Sequence, residues 1–392
     1  MKVYLDNAAT TAADKRVIEK MLPYFSDCYG NASSVHSFGR AVQSAVDEAR
    51  AETASLIGAE PNEIYFTSGG TESDNWALRG AAEAYGKDAG IVTTDIEHPA
   101  VTETCAYLEK NGYGVTYLKA RRDGRVSVDD LKNAVTDNTA IVSVMFANNE
   151  TGNIQPIEEI GAFCRENGII FHTDAVQAMS SVKIDVNKYN IDLLSFSAHK
   201  FHGPKGVGAL YVRNGVKIGR LLFGGHQERV MRPGTTDAAG IIGAAEALRL
   251  TVSEMDENNK RIKEMRDRFN GLIAENVPFC SLNGGLEHRL AGNTNIAFEG
   301  VQSDALLELL DLRGVAASAG SACTAGSVAP SRVIAAISGS EKTARSSVRF
   351  TFGKDNTPEE TEYAADAVKK CVEKLRGCSD LFKIIDGKTY SV

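Results

Sequence analysis

The run Ser197-Ala198-His199-Lys200 closes an apolar stretch and leads into Phe201-His202-Gly203-Pro204-Lys205-Gly206. A lysine set at a strand end, before a Gly/Pro turn, projects into whatever cleft lies above the strand. Burial beside other polar groups lowers the pKa of such an amine and keeps it nucleophilic, which Schiff-base chemistry with a carbonyl requires. Alone, Lys200 would be read as a surface charge, as most lysines are. A second apolar stretch, 169–172, runs into Thr173-Asp174-Ala175-Val176-Gln177. An Asp after a strand is as readily a helix N-cap. Held there, it also suits the nitrogen of a pyridine ring, with Gln177 in reach of a ring hydroxyl. An amine and an acid so placed are what pyridoxal phosphate (PLP) asks of a protein, because its ring is an electron sink while the nitrogen is protonated.

PLP also needs a phosphate cradle. Phe66-Thr67-Ser68-Gly69-Gly70-Thr71-Glu72-Ser73 reads as a strand, a glycine turn and a helix start. Free N–H groups, a hydroxyl and the helix dipole attract an anion there, with Gly70 and Thr71 as ligands. An ordinary turn capped by Thr71 or Ser73 gives the same pattern. Asp95-Ile96-Glu97-His98-Pro99 closes another stretch, where His98 could lie on a flat ring and shuttle protons, or be satisfied by backbone. Asn148-Asn149-Glu150-Thr151-Gly152 follows a further one, and Asn also closes loops for no functional reason. Each motif is weak alone; five strand ends suited to one cofactor carry the argument together.

Farther on, Arg232-Pro233-Gly234-Thr235 offers a guanidinium and a hydroxyl suited to phosphate. Arg349, in the β-like run Ser346-Ser347-Val348-Arg349-Phe350, offers the bidentate fork that clamps an amino-acid carboxylate. For either arginine the plain alternative is a surface ion pair of little value. Cys323 lies in Ser318-Ala319-Gly320-Ser321-Ala322-Cys323-Thr324-Ala325-Gly326-Ser327. Side chains so small pack no core, so a turning loop can carry this thiol to a substrate. The remaining cysteines, 28, 105, 164, 280, 371 and 378, are scattered without a CxxC pair and read as structural, most of them as small buried hydrophobes.

A parallel sheet is the element that would hold these residues. Between about 60 and 215, β-branched or apolar runs at 63–67, 91–94, 115–118, 140–146, 169–172, 193–197 and 208–212 alternate with helical spacing at 73–85, 100–110 and 157–166. That alternation predicts an α/β fold with a mostly parallel sheet covered on both faces, whose ligands bind at the strands' carboxyl ends. A long amphipathic stretch over 238–276 leads to a smaller α+β unit. At 392 residues the chain exceeds the ~250–300 at which single cores stop growing. Two domains are expected: 15–255, and 1–14 together with 256–392.

The formal charge of −8, with no basic run, excludes a general nucleic-acid or membrane-surface binder. No apolar run reaches the ~18 residues of a membrane span, and no signal-peptide pattern opens the chain, so a cytoplasmic protein without metal centre or disulfide framework is expected.

With these motifs assembled, the chain resembles the cysteine desulfurases of the NifS/IscS type, members of the class V aminotransferase group with PLP fold type I. The likeness spans Tyr4-Leu5-Asp6-Asn7-Ala8-Ala9-Thr10, Gly30-Asn31, His36-Ser37-Phe38-Gly39-Arg40 and the stretches above. The combination of Ser-x-His-Lys, Glu-His-Pro, Asp-Ala-x-Gln and Ser-Ala-Cys-Thr is specific. The resemblance implies Lys200 as the cofactor-bearing lysine, Asp174 as partner of the ring nitrogen and Gln177 as ligand of the ring hydroxyl. It implies His98 as stacking acid–base residue, and Gly70, Thr71, Ser197 and His199 as phosphate ligands. It implies Thr235 reaching the phosphate across a homodimer interface, Asn149 and Arg349 on the substrate carboxylate, and Cys323 as the persulfide-forming thiol. L-cysteine is then the substrate, and the sulfur goes to an acceptor protein, an iron–sulfur scaffold or a carrier for other thio-cofactors or tRNA thiolation.

Four features depart from the family pattern: His226, Pro233, Asn153 and the tail 384–392. They leave the chemistry in place and the acceptor open. Two other readings compete: a cystine or selenocysteine lyase of the same PLP family, which needs no protein thiol, and a catalytically silent scaffold, which needs no cofactor residues.

Overall fold

The computed structural model describes residues 1–320 and 330–378, with the backbone of the strands Phe382–Ile385 and Lys388–Ser391. Seven strands form one sheet in the order Ile64–Thr67, Gly208–Val212, Leu193–Ser197, Ile170–Asp174, Thr139–Ser143, Gly90–Thr94 and Val115–Leu118. The Gly208–Val212 strand is antiparallel to both neighbours and every other pairing is parallel. The six parallel strands therefore end on one edge, the edge where a sheet of this kind holds its ligand.

The expected strands form, with instructive shifts at their ends. The apolar run 140–146 leaves the ladder after Ser143, yet Val144 N–H and Phe146 N–H still donate to His172 O and Asp174 O. Those bonds prolong the Ile170–Asp174 strand through Asp174, which is its last residue rather than the first beyond it. The helix expected at 73–85 begins at Gly70, because Gly69 at φ 148° turns the chain in a way side chains resist. The helix expected at 100–110 begins at Pro99, whose fixed φ suits a first helical position.

Both faces of the sheet are covered. Helices Gly70–Tyr85 and Pro99–Lys110 pack Trp76, Leu78, Val101 and Leu108 onto Ile91, Ile141, Ile170 and Leu193. Helices Ser37–Leu56, Ile157–Glu166 and the first part of Ala238–Asn276 cover Val92, Val142, Phe171, Leu194 and Phe196 on the opposite face. On the first face the inward residues change character along each central strand. Ile91 gives way to Thr93, Ile141 to Ser143, Ile170 to His172 and Asp174, and Leu193 to Ser195 and Ser197, all of them buried. Alternation puts such i and i+2 residues on one side of a sheet. Each strand thus arrives at the carboxyl edge polar side down beneath the Gly70–Tyr85 helix.

The Ala238–Asn276 helix has 39 residues and runs about 58 Å. Ile241, Ile242, Leu248 and Leu250 belong to the larger core, whereas Met265, Phe269 and Ile273 belong to a second one. There Phe269 meets the ring of Phe350 at 4.9 Å between centroids, on an antiparallel sheet ordered Ser347–Thr351, Asn293–Phe298, Cys280–Leu282. The N-terminal residues join this second core: Val3–Tyr4 pairs in parallel with Val315–Ala316, and Leu5 is fully buried.

The segment before Thr235 carries backbone strain. Glu228, Arg229 and Val230 have φ of 45°, 55° and 72°, a left-handed region that β-branched residues avoid. A buried ion pair holds the segment: Arg50 grips both carboxylate oxygens of Glu228 at 2.7 and 2.6 Å, and Phe66 N–H donates to the same carboxylate. Val230→Gly relieves ~1–2 kcal/mol of left-handed strain against ~0.5–1 kcal/mol of added chain entropy. Urea unfolding should therefore show the glycine variant more stable than wild type, by up to ~1.5 kcal/mol.

Candidate active site

The carboxyl edge opens on a cleft of about 690 Å³ lined by Ala8, Gly70, Thr71, Asp74, His98, Asn149, Asp174, Gln177, Ser197, His199, Lys200 and Arg349, among others. Every site residue that the family resemblance implies is in this cleft except two. Thr235 is exposed on its own chain and lines no part of it. Cys323 lies outside the described residues.

Lys200 ends the short turn Ala198–Lys200 that follows the Leu193–Ser197 strand. Its Nζ donates to Ala8 O at 2.6 Å and Ala9 O at 2.8 Å, and Gln177 Nε2 donates to the same Ala8 O at 2.9 Å. The N-terminal segment is fastened to this turn: Thr11 Oγ1 donates to His199 O, and Thr10 Oγ1 lies 3.1 Å from His199 Nδ1. Burial, reinforced by Lys200 and Lys205, pushes His199 down to about 4, so the imidazole is neutral at pH 7. The part played by residues 8–11 has no sequence signal beyond their presence in a recognised motif.

Asp174 accepts from Val176 N–H at 2.9 Å, which is the Asx-turn use of an Asp rather than a helix cap, since no helix follows directly. Burial raises its pKa, and the positive charge available at His98 and Lys200 opposes the rise. His98 Nδ1 accepts from Ala100 N–H at 3.1 Å and caps the Pro99–Lys110 helix. The backbone reading of His98 holds: the backbone claims Nδ1, which leaves the ring proton on Nε2 in the neutral form.

At the glycine turn, the Gly70–Tyr85 helix starts without a side-chain cap. A Cβ on Gly70 would fall 2.7 Å from Val176 Cγ2 and 3.9 Å from Ser197 Cβ, so only glycine leaves the opening clear. Uncapped amides, Thr71, Ser197 and the neutral His199 make a set of donors for an anion. Arg232 is a correction: its guanidinium forks onto Glu72 at 2.8 and 3.0 Å, where the sequence had offered it to phosphate.

Arg349 is buried, at 1% exposure, and is no surface ion pair. Its Nη1 donates to Asn149 O and its Nη2 to Asp6 Oδ1, each at 2.8 Å, while Nε has no partner. Its backbone pairs with Ser318 in both directions, at the start of the segment that carries Cys323. Past that segment, Ser331 caps the Arg332–Ser338 helix and its Oγ meets the buried carboxyl of Glu150, whose pKa burial raises. Of the other cysteines, 105, 164 and 371 are buried as expected and burial pushes Cys105 and Cys164 up to about 12, but Cys28 and Cys378 are exposed.

Sequence reasoning passed over Asp6, Asp74 and His172. Asp74 looks like one more acid on an amphipathic helix; its position four residues past Gly70 is the signal that it turns inward. Ligand atoms of Asp74, His98 and Asp174 lie within 4.8 Å of one another, a spacing that a metal ion could also use. Burial, and then the charge of Asp174, raise Asp74 well above the carboxylate range, and a protonated acid is a poor metal ligand. A planar cofactor with a carbonyl, a basic ring nitrogen and a phosphate fits the residues present: amine, acid, imidazole and anion cradle line the same cleft.

The sequence was compared with family models, curated proteins and solved structures. The aminotransferase class-V model matches residues 3–363. A protein named cysteine desulfurase IscS from Methanosarcina thermophila is 50% identical over 382 residues, covering 97% of this chain and 94% of that one. A solved NifS-like protein superposes with a TM-score of 0.90 at 36% identity, covering 95% of this chain and 100% of the other. A structure titled SspA in complex with cysteine superposes at 0.80, also 36% identical, covering 91% and 100%.

Glu97 provides a test of the buried electrostatics. Thr94 Oγ1 and Met145 N–H donate to its Oε1, and burial raises its pKa from 4.5 to about 8. The folded chain therefore holds this proton more tightly than the unfolded chain. The resulting stability is fully present below pH 4.5 and is lost as pH rises through 8. Glu97→Gln keeps the acceptor and removes the titration. Between pH 5 and 8, urea unfolding should show wild type losing up to about 1.4 kcal/mol per pH unit relative to the variant.

Proposed function

This chain belongs to the class-V aminotransferase family and is a PLP-dependent cysteine desulfurase, and we propose that its own residues divide the reaction as their positions favour. The observation that supports this division most is the single cleft lined by Lys200, Asp174, His98, Gln177, the Gly70 turn and Arg349. Lys200 would hold the cofactor's carbonyl carbon, Asp174 its ring nitrogen and Gln177 its ring hydroxyl. His98 would lie against the ring, and Gly70, Thr71, Ser197 and His199 would surround the phosphate. When bound, PLP withdraws electrons from the α-carbon of the amino acid it carries.

The remaining steps belong to the protein. Arg349 and Asn149 receive the carboxylate of L-cysteine. The free Nε of Arg349 and the Nη2 now on Asp6 present the fork, so Asp6 occupies the place the substrate's carboxylate takes. That clamp orients the substrate sulfur and counts as orientation catalysis. Lys200 is the amine placed to move the α-proton, with His98 as the second proton carrier. Cys323, as thiolate, attacks the substrate sulfur. A sulfur–sulfur bond forms and the carbon–sulfur bond breaks. Its electron pair stays with the three-carbon fragment, which takes up protons and leaves as alanine, while Cys323 keeps the sulfur as a persulfide. The anchoring of Ser318 on the backbone of Arg349 supports delivery from that side.

A thiol of an acceptor protein, an iron–sulfur scaffold or a sulfur carrier, then takes the sulfur, which suits a reducing, cytoplasmic setting. No helix among the described residues is long and apolar enough to cross a membrane. Exposed Tyr29, Val35, Phe38 and Phe223 support a homodimer in which Thr235 of a second copy completes the phosphate site. The chain then divides near residue 255, with 1–14 on the smaller side.

Intact-mass measurement after brief exposure to L-cysteine tests the assignment. Wild type should gain one sulfur on Cys323, and Cys323→Ala should gain none and form no alanine. A variant that still releases sulfide from cysteine or cystine would move the reading to a lyase, and a protein that stays colourless with added PLP would move it to a scaffold. Arg349→Lys keeps the charge and loses the fork, so KM for cysteine should rise about 10–100-fold with the cofactor still bound.

A further inference from the structure

Beneath Asp174 lies a layer of polar groups that the reaction above leaves unused. Asp74 is 1% exposed and its Oδ1 has no hydrogen-bond partner. That oxygen lies 3.6 Å from His172 Nε2. His172 is fully buried, with Nδ1 2.8 Å from Ser143 Oγ and Nε2 3.1 Å from Ser195 Oγ. Strand register explains the grouping: Ser143 pairs with His172 and Ser195 with Asp174, so three adjacent strands present their polar residues to one helix turn.

We propose that Asp74 is a positioning residue for Asp174: framed by His172, Ser143 and Ser195, its carboxyl donates a hydrogen bond from behind and so holds Asp174 as the charged partner of the cofactor's ring nitrogen. This rests on the PLP reading of the cleft. Two buried carboxylates within 4.8 Å of each other do not both ionise. The groups facing the pair are His172 from its strand, Glu97 and His98 from the turn after Gly90–Thr94, His199 and Lys200 from the turn after Leu193–Ser197, and Arg349 from the second core. His98 and Lys200 lie toward Asp174 and oppose its rise. Asp74 instead faces His172, which burial lowers to about 3 and leaves neutral. The single proton of the pair therefore stays on Asp74, and the nominal Asp74–His172 ion pair carries charge on neither side. A neutral acid behind a carboxylate is a donor, and a rotation or one bridging water closes the remaining gap.

The test uses the holoenzyme, Asp74→Asn, which keeps a neutral donor of the same shape, and Asp74→Leu, which keeps bulk alone. The pH titration of the bound cofactor's visible absorption and the PLP dissociation constant are read for all three. Asp74→Asn should match wild type in titration and stay within about twofold in affinity. Asp74→Leu should bind PLP at least about tenfold more weakly and shift the titration by about one pH unit. A purely packing role would change unfolding midpoints and leave the titration in place, and that result would overturn the proposal. Should Asp74→Leu fail to fold, the infrared difference between wild type and Asp74→Asn still decides: a lost carboxylic-acid band supports it, and a lost carboxylate band overturns it. A wild-type chain that takes up no PLP at all would instead sink the reading of the cleft.

Discussion

A parallel sheet covered on both faces can bury polar side chains only where its strands end, since elsewhere they would leave water without gaining partners. The arrangement of this molecule rests on that constraint. Under the Gly70–Tyr85 helix, the inward positions of four strands turn from Ile and Leu to Thr, Ser, His and Asp as they approach one edge. The polar groups arrive together, stripped of water, and the loss of water then sets their protonation. It keeps Glu97 and Asp74 as acids and His172 as a neutral base. The same desolvation makes an amine and a carboxylate in one cleft chemically useful.

The second core adds a further cation deep in the cleft, besides the Lys200 of the sheet edge. Arg349 can be buried there because Asp6 and the carbonyl of Asn149 hold it, one from the N-terminal strap and one from the sheet side. The strap also supplies the carbonyls that hold Lys200. Three distant parts of the chain thus converge on groups that would be costly to bury singly.

Much of this was legible in the residues, for reasons that differ from one to the next. Asp174 and His98 show because each follows an apolar run and precedes Ala or Pro, and Lys200 because a Gly/Pro turn begins three residues on, the grammar of a strand end. The helix at 157–166 and four of the strands fall within the bounds read from their pattern. Ser197 and His199 came from resemblance alone, since a Ser in a strand has no unique local meaning, whereas Thr235 and Cys323 also had a local reading, as a hydroxyl suited to phosphate and as a thiol on a loop of small residues. Asp6 was quoted and not understood, because its partner lies 343 residues away. His172 was taken as one residue of an apolar strand, although the repeated change from Ile or Leu to Ser, His or Asp at i+2 in neighbouring strands marks a buried polar stripe. Arg232 misled because a guanidinium beside a glycine and a hydroxyl invites a phosphate role, and only the fold brings Glu72 to it.

The strap has a consequence for how the protein is made. Residues 3–11 leave the ribosome long before their partners, since Val3 pairs with Val315, Asn7 bonds to Thr351 and Asp6 to Arg349. The seven-stranded sheet can close once residue 212 has emerged, but residues 3–11 wait until residue 351 has emerged before they find their places. Contacts of such long sequence separation form late. The nascent polypeptide therefore carries a folded sheet with an unfinished cleft, and it cannot withdraw sulfur from cysteine until the strand that carries Arg349 has been made.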